Sequence, residues 1–330
     1  MMRGKLFYKD STELLSVSYS QLLQDIKETD FFKPFCKSHS FYDIFRSIIV
    51  SLLVDKEIVL LDSDFSDVEI EKLIGTLSLL DQEVSVDIPH GISEENLAGF
   101  IRQNVSSWRI TLFTSGTTGL PKRVSHTFES ITRFVRSGDK HQNDVWGFAY
   151  NPTHMAGLQV FFQALLNLNP MIRLFGLEKK TIVHEIRENS ITNISATPTF
   201  YRLLLPAEDV CPSVTRITSG GEKFDEHALS LLREMFPNAR ITNVYASTEA
   251  GTLFASKGNE FTIKEAMEHL IKVEEHELFL HKSLMGESSG LQIEGDWYAT
   301  GDLIEVTGHS PFTFHFISRK NEMINVGGYK

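Results

Sequence analysis

Hydrophobic and polar positions along this chain switch repeatedly between a helical period and a strand period, and the switches divide it into short elements. Residues 41–53 carry apolar side chains at helical spacing, and Glu57-Ile58-Val59-Leu60-Leu61-Asp62 is an apolar run closed by an acidic turn, the pattern of a buried strand. A helical period returns over 67–80, with Val68, Ile70, Leu73, Ile74 and Leu77 on or near one face. Trp108-Arg109-Ile110-Thr111-Leu112-Phe113 alternates and is rich in β-formers, so it reads as a strand running into a loop. Phe128, Ile131, Phe134 and Val135 then predict a helix following that loop directly, with Gly138 placed to end it. Residues 144–150 read as a strand that delivers 151–157 to a turn. An apolar helix over 160–166, a strand over 171–175 and a helix over 181–189 follow.

The strand 191–196 is stopped by Pro198, and 214–219 is a strand leading into a tight turn at Gly220-Gly221. Asp225 is placed to cap a helix carrying Ala228, Leu229, Leu232, Met235 and Phe236, and 240–245 is the next strand. Strand, helix, strand at this spacing implies parallel pairing, and ligands of parallel sheets bind at the carboxyl ends of the strands. Gly220-Gly221 and 245–249 fall at such ends. From about residue 260 the texture changes to short segments near 277–280, 297–299 and 312–317 separated by Gly-rich turns, which predicts antiparallel strands in a smaller β subdomain. The fold class expected is therefore α/β, a layered parallel-sheet body with an antiparallel β part. No internal repeat or low-complexity tract interrupts it.

Composition narrows the function classes. The 330 residues are 42% hydrophobic and 23% charged, as in ordinary globular chains, and are enough for more than one subdomain. The net charge of −11 argues against general nucleic-acid binding, which needs a basic face. The two cysteines, Cys36 and Cys211, make neither a disulfide framework nor a metal-ligand spacing. The first ten residues are basic without an apolar run behind them, and the apolar stretch 48–54 is too short to span a bilayer, so a cytoplasmic location is expected. His39 and His90 are isolated and carry no constellation.

Chemistry concentrates at Thr114-Ser115-Gly116-Thr117-Thr118-Gly119-Leu120-Pro121-Lys122. Short hydroxyls and bare glycine backbone can surround an anion closely, and Lys122 with Arg123 adds positive charge, a set suited to polyphosphate. The spacing is not that of the P-loop, because Leu-Pro separates Gly119 from Lys122 and Arg123 follows. A helix starting directly after the loop would add its N-terminal dipole near a bound phosphate.

These nine positions resemble the phosphate loop of the adenylate-forming enzymes, the superfamily of acyl- and aryl-CoA ligases, peptide-synthetase adenylation domains and luciferases. Four later stretches resemble that family in order. Ser219-Gly220-Gly221-Glu222 is similar to its adenine-pocket turn, and Tyr245-Ala246-Ser247-Thr248-Glu249 to its Tyr-Gly-x-Thr-Glu motif. Tyr298-Ala299-Thr300-Gly301-Asp302-Leu303 resembles the Tyr/Phe-x-Thr-Gly-Asp motif, and 317–328 the hinge between the large and small domains. The resemblance implies Tyr245 against adenine, Thr248 on the α-phosphate, Glu249 on Mg²⁺, Asp302 on the ribose hydroxyls and Arg319 on ribose or phosphate. Asn243 joins the implied nucleotide set. Pro152-Thr153-His154-Met155-Ala156-Gly157-Leu158 resembles the Phe-His-x-x-Gly-Leu turn of the CoA ligases, which implies His154 beside a substrate carboxylate. The residues implied in catalysis are thus His154, Lys122, Thr248 and Glu249. Phe148, Met155, Phe161 and Phe162 are available to line an acyl pocket or to fill the core.

The implied reaction activates a carboxylic acid with Mg·ATP as an acyl-adenylate, with AMP formed and the acyl group passed to CoA or to a carrier-protein phosphopantetheine. A simple acid is expected, since no aspartate for an α-amine is evident in the sequence. The implied layout is a large domain over 1–320, with a shortened N-terminal part (1–105), a phosphate-loop and adenine part (106–260) and a distorted, barrel-like β subdomain (261–320). Residues 321–330 are read as hinge and the start of a small domain. Ser318 and Asn321 depart from the family's hinge pattern, and Lys330 is not the family's adenylation lysine, so a chain that activates its acid poorly alone is expected, either an excised domain, which the end inside a motif favours, or a naturally split or degenerate protein. The alternative is a non-catalytic nucleotide- or acyl-binding module that needs a partner chain.

Overall fold

The computed structural model describes residues 4–114, 121–206, 209–220, 226–256, 258, 260–288, 291 and 293–320. Among them a large sheet has fourteen strands, and six of these run parallel. In spatial order they are Leu6–Asp10, Met171–Arg173, Trp146–Phe148, Asn193–Ala196, Arg216–Gly220 and Arg240–Ser247. The predicted strand, helix, strand unit is therefore present: Arg216–Gly220 pairs in parallel with Arg240–Ser247 across the helix Glu226–Met235. A second sheet of four strands is formed by Phe35–Lys37, Ile58–Leu61, Arg109–Thr114 and Lys122–Thr127, the first three parallel and the last antiparallel.

Two helices lie between the sheets. Phe41–Leu53 is apolar almost all round, which fits a helix covered on both sides. Its Phe45 stacks on Phe161 of the helix Met155–Leu165, centroids 4.9 Å apart, and meets Phe148 of the large sheet edge-on at 5.1 Å. Phe162 reaches the other sheet through Trp108, at 5.8 Å. Trp108 is fully buried, and its indole N–H donates to Ser51 Oγ at 2.8 Å, so burial leaves no orphaned donor. Phe148, Phe161 and Phe162 are core residues; each is completely buried in this aromatic cluster, and none is free to line an acyl pocket.

The antiparallel strands do not form a sheet of their own. Gly251–Ser256 pairs with Arg240–Ser247, and Glu260–Thr262, Phe312–Arg319, Trp297–His309, Glu277–His281 and Ile271–Glu274 continue the same ladder outward. They enclose a separate hydrophobic cluster around Phe254, Phe261, Leu278, Ile304 and Phe314. A register shift at Tyr245/Ala246 marks the junction between the parallel and antiparallel halves.

Several local expectations are corrected. The helix begun at Asp67 ends at Ile74, because Gly75 takes φ +93° and a 3₁₀ turn follows over Leu77–Asp81. No helix directly follows the phosphate-loop segment. Residues Lys122–Thr127 return as a strand beside Arg109–Thr114, with Thr114 opposite Lys122, and the helix Phe128–Thr132 begins only after it. The alternation Val124, His126 buried against Arg123 exposed is a strand period. Six strand residues carry that helix about 20 Å away from the loop, too far for its dipole to act on a phosphate there. The helix also stops at Thr132, well before Gly138, whose φ of +114° introduces a 3₁₀ turn instead. The 151–157 turn is shorter than expected, since a helix begins at Met155. Cys36 and Cys211 are both buried free thiols. No helix among the described residues is long and apolar enough to cross a membrane.

Candidate nucleotide and acyl site

The parallel strands end on one side of the sheet, and the singled-out residues of the body sit at those ends. Arg240–Ser247 leads into Thr248 and Glu249, Arg216–Gly220 stops at Gly220, and Trp146–Phe148 leads into the turn holding His154. Asn243 lies in register between Ser219 and Ser256. At Gly220 a Cβ would fall 2.7 Å from Val244 Cγ2 and 3.2 Å from the Val244 carbonyl, so only glycine lets the two strand ends approach this closely. Ser115, Gly116, Thr117, Thr118, Gly119, Gly221, Glu222, Asp225 and the segment expected to be a hinge, Asn321 to Lys330, lie outside the described residues. Thr114 and Lys122 close the two strands that flank the phosphate-loop segment.

Three motifs converge on one carboxylate. Asp302 is 2% exposed; its Oδ1 accepts from Arg319 Nε at 2.7 Å and its Oδ2 accepts from the Tyr245 hydroxyl. Tyr245 and Asp302 are 57 residues apart in the chain, so only the sheet brings them together. The Tyr245 ring stacks on Phe254, its cross-strand neighbour, at 5.6 Å. Burial, then the Asp302 charge, pushes the Tyr245 hydroxyl far above the ordinary phenol range, so it stays a proton donor to that carboxylate. Asp302 is aimed by the residues before it: Thr300 Oγ1 accepts from the Asp302 N–H at 3.0 Å and donates to the Leu278 carbonyl at 2.8 Å, while Gly301 takes φ +74°.

Glu277 has no counterpart in the sequence reading. It is buried, accepts the Gly301 N–H at 2.9 Å and pairs with Lys320, so it ties the aspartate's turn to the end of the strand Phe312–Arg319. Its only sequence signal is an acidic residue on an apolar strand, Glu277-Leu278-Phe279-Leu280.

His154 closes the turn before the helix Met155–Leu165. Asn151 builds that turn: its Oδ1 accepts from the Thr153 N–H and hydroxyl at 2.9 and 2.8 Å. Gly157 is required beneath it, because a Cβ there would sit 2.3 Å from the Asn151 carbonyl oxygen. His154 Nε2 lies 3.1 Å from Asp62 Oδ2, which also accepts from Asn151 Nδ2 at 2.9 Å. Asp62 follows the strand Ile58–Leu61 of the smaller sheet, so this contact joins the strand ends of the two sheets. The bond to His154 is the main reason the Asp62 carboxyl lies below the usual carboxylate range. Met155, behind it, is buried. Sequence reading missed Asp62 as a site residue, although a carboxylate just beyond a buried parallel strand was the available signal.

The Thr248-Glu249 turn is fixed by its main chain. The Thr248 carbonyl lies 2.8 Å from His126 Nε2, and the Glu249 carbonyl accepts the Gly286 N–H at 2.6 Å. Among the described residues no three His, Cys, Asp or Glu side chains converge to hold a metal by themselves. A lone Glu249 instead fits the way Mg²⁺ is held with nucleotides, by one or two carboxylates together with phosphate oxygens.

A family model described as AMP-binding enzyme matches residues 82–270. Among curated proteins, the 2-succinylbenzoate–CoA ligase of Bacillus subtilis (strain 168) is 25% identical over 214 residues, 63% of this chain and 42% of the relative. The D-alanine–D-alanyl carrier protein ligase of Streptococcus agalactiae serotype V is 30% identical over 160 residues, 42% of this chain and 30% of the relative. The chain thus spans less than half the length of these curated relatives. Among solved structures, O-succinylbenzoate coenzyme A synthetase from Bacillus subtilis, in complex with ATP and magnesium ion, superimposes with a TM-score of 0.72 at 16% identity, covering 100% of this chain and 80% of that one. The inhibitor-bound N-terminal domain of FACL13 from Mycobacterium tuberculosis gives 0.67 at 15% identity, with 96% of each chain covered. At these identities the structural likeness is one of fold, the large N-terminal domain of adenylate-forming enzymes. The family match covers more than half of the chain, and the protein belongs to the AMP-binding enzyme family.

Proposed function

We propose that this chain binds ATP at the ends of its parallel strands and activates a simple carboxylic acid as an acyl-adenylate, the whole protein then passing the acyl group to CoA or a carrier-protein phosphopantetheine. The observation that carries the reading is the meeting of Tyr245, Asp302 and Arg319, residues from three separated motifs, on one buried carboxylate. A carboxylate offers four lone-pair positions, and among the described residues Tyr245 and Arg319 donate to two of them, so the other two could accept a ribose diol. Tyr245 offers an aromatic face to adenine, Thr248 a short hydroxyl to the α-phosphate, and Lys122 a point charge to the phosphates beyond it. Glu249, together with phosphate oxygens, would hold Mg²⁺, which supplies charge neutralisation on the triphosphate.

In the reaction one oxygen of the substrate carboxylate bonds to the α-phosphorus and the bond to pyrophosphate breaks. The chain's part in that step is positioning. His154, held by Asp62 through Nε2, would as the imidazolium donate from Nδ1 to the incoming carboxylate and hold it in line. The relatives' names give 2-succinylbenzoate and D-alanine as acids those proteins act on, and of the two it is 2-succinylbenzoate that lacks an α-amine, in line with a simple acid here.

The test is calorimetric titration with non-hydrolysable acyl-adenylate analogues, aliphatic and aromatic, with AMP as reference. One acyl group binding at least about tenfold more tightly than AMP, about 1.4 kcal/mol, names the acid class. Failure of AMP, ATP and every analogue to bind would refute the reading.

A further inference from the structure

His126 is a buried side chain that the nucleotide reading does not use. It projects from Lys122–Thr127, the strand that begins with Lys122, and is 2% exposed. Its Nε2 lies 2.8 Å from the Thr248 carbonyl, an oxygen that can only accept, so Nε2 carries the proton and donates. Its Nδ1 lies 3.3 Å from Ser130 Oγ, and burial keeps the ring neutral by lowering its pKa. Thr248 is 122 positions further along the chain, on the other sheet's last parallel strand end.

The ring is also seated from above. A Cβ on Gly286 would fall 2.6 Å from His126 Cε1 and 2.9 Å from both ring nitrogens, so glycine leaves room for the imidazole. The same Gly286 donates its N–H to the Glu249 carbonyl, and Glu287 pairs both ways with Ser125, the residue before His126. Arg133 ties the preceding Ser283 and Leu284 carbonyls to the helix after the strand. Thr248 and Glu249 are therefore held from the strand of Lys122 through one imidazole and one glycine.

We infer that His126 is a positioning residue that sets the distance between Lys122 and the Thr248-Glu249 turn, and so the fit of the nucleotide's phosphate chain. This rests on the proposed nucleotide reading. A ligand that touches both elements feels their separation; one that touches a single element does not. Mg·ATP reaches from Thr248 to Lys122, whereas AMP ends at its α-phosphate.

The experiment compares Mg·ATP and AMP by calorimetry in the wild type, H126L, H126Q and G286A, with melting temperatures alongside. Gln retains an N–H near the position of Nε2, whereas Leu removes it. The methyl that G286A adds displaces the ring while leaving the histidine in place. The expected result is a loss of at least about tenfold in Mg·ATP affinity for H126L and G286A, with AMP held within about twofold, and substantial recovery in H126Q. If H126L does not fold, G286A and H126Q carry the comparison. Equal losses for both ligands, or no loss for either, overturn the inference while leaving nucleotide binding standing. A wild type that binds neither ligand overturns the nucleotide reading itself, and this inference with it.

Discussion

Replacing Asp302 by asparagine separates two roles of that carboxylate, holding Arg319 and Tyr245 and accepting a ribose. The amide is nearly isosteric, but it has one acceptor oxygen in place of two and presents donors where the carboxylate accepted. The Tyr245 hydroxyl can still donate to the remaining oxygen, so the main structural loss is the charge-assisted bond from Arg319, 2.7 Å long. Such bonds contribute about 1.5–3 kcal/mol when enclosed. Here the Arg319 side chain is 53% exposed and solvent screens it, so a loss of about 1–2 kcal/mol is expected. For a domain of this size that lowers the melting temperature by about 2–6 °C.

The binding effect is distinct. If Asp302 accepts the ribose diol, D302N loses about 10- to 100-fold in AMP affinity, the equivalent of roughly 1.4–2.7 kcal/mol. 2′,3′-Dideoxy-AMP, which has no diol to donate, should bind wild type and D302N alike. The assay is calorimetric titration of both proteins with both ligands, each well below its melting temperature. Equal losses for AMP and the dideoxy analogue would refute the reasoning, since Asp302 would then act only by holding Tyr245 and Arg319.

Three further outcomes are expected. Lys122→Ala should weaken Mg·ATP by about tenfold or more and leave AMP within about twofold, as read by titration, because AMP lacks the phosphates the ammonium would reach. Arg173→Met should cost about 3–5 kcal/mol in urea unfolding, since it strands the buried Asp10, whose Oδ2 lies 2.8 Å from Arg173 Nη1; adding Asp10→Asn should recover part of that. Burial by itself would raise the Asp10 pKa, but hydrogen bonds from Thr12 and Arg173 hold it below its ordinary value, so its contribution is full above about pH 4 and is lost as pH falls through the lowered value. The gap in unfolding free energy between wild type and D10N should accordingly shrink from pH 5 to pH 2, and a constant gap would count against that pairing. Gly157→Ala, pressing on the Asn151 carbonyl, should reduce the preference for acyl-adenylate analogues over AMP, and so should Asp62→Asn; unchanged preference in both would remove His154 from the acyl site.

Much of the architecture was legible because it is written in short-range pattern. The apolar run ending at Asp62, the helical period of residues 41–53 and the strand, helix, strand unit of 216–247 each depend on side chains that must be buried on one or both faces, and periodicity records that directly. Ordered motifs likewise single out Tyr245, Asp302 and Arg319, which the structure brings together on one carboxylate. Over 122–135 the helical spacing of Phe128, Ile131 and Val135 is the stronger pattern, yet the strand alternation of Val124 and His126 comes first and separates that helix from the loop. The aromatic residues Phe148, Phe161 and Phe162 gave no sign of which neighbour would cover them; two sheets closing on the same helices made them core. Only the tertiary structure decided the partnerships across the chain: Asp62 with His154, His126 with Thr248, and Glu277 with both Gly301 and Lys320. Such contacts are set by where strand ends meet in space. Pairing between sheets and across crossovers joins residues far apart in the chain, and a one-dimensional pattern carries no term for that distance.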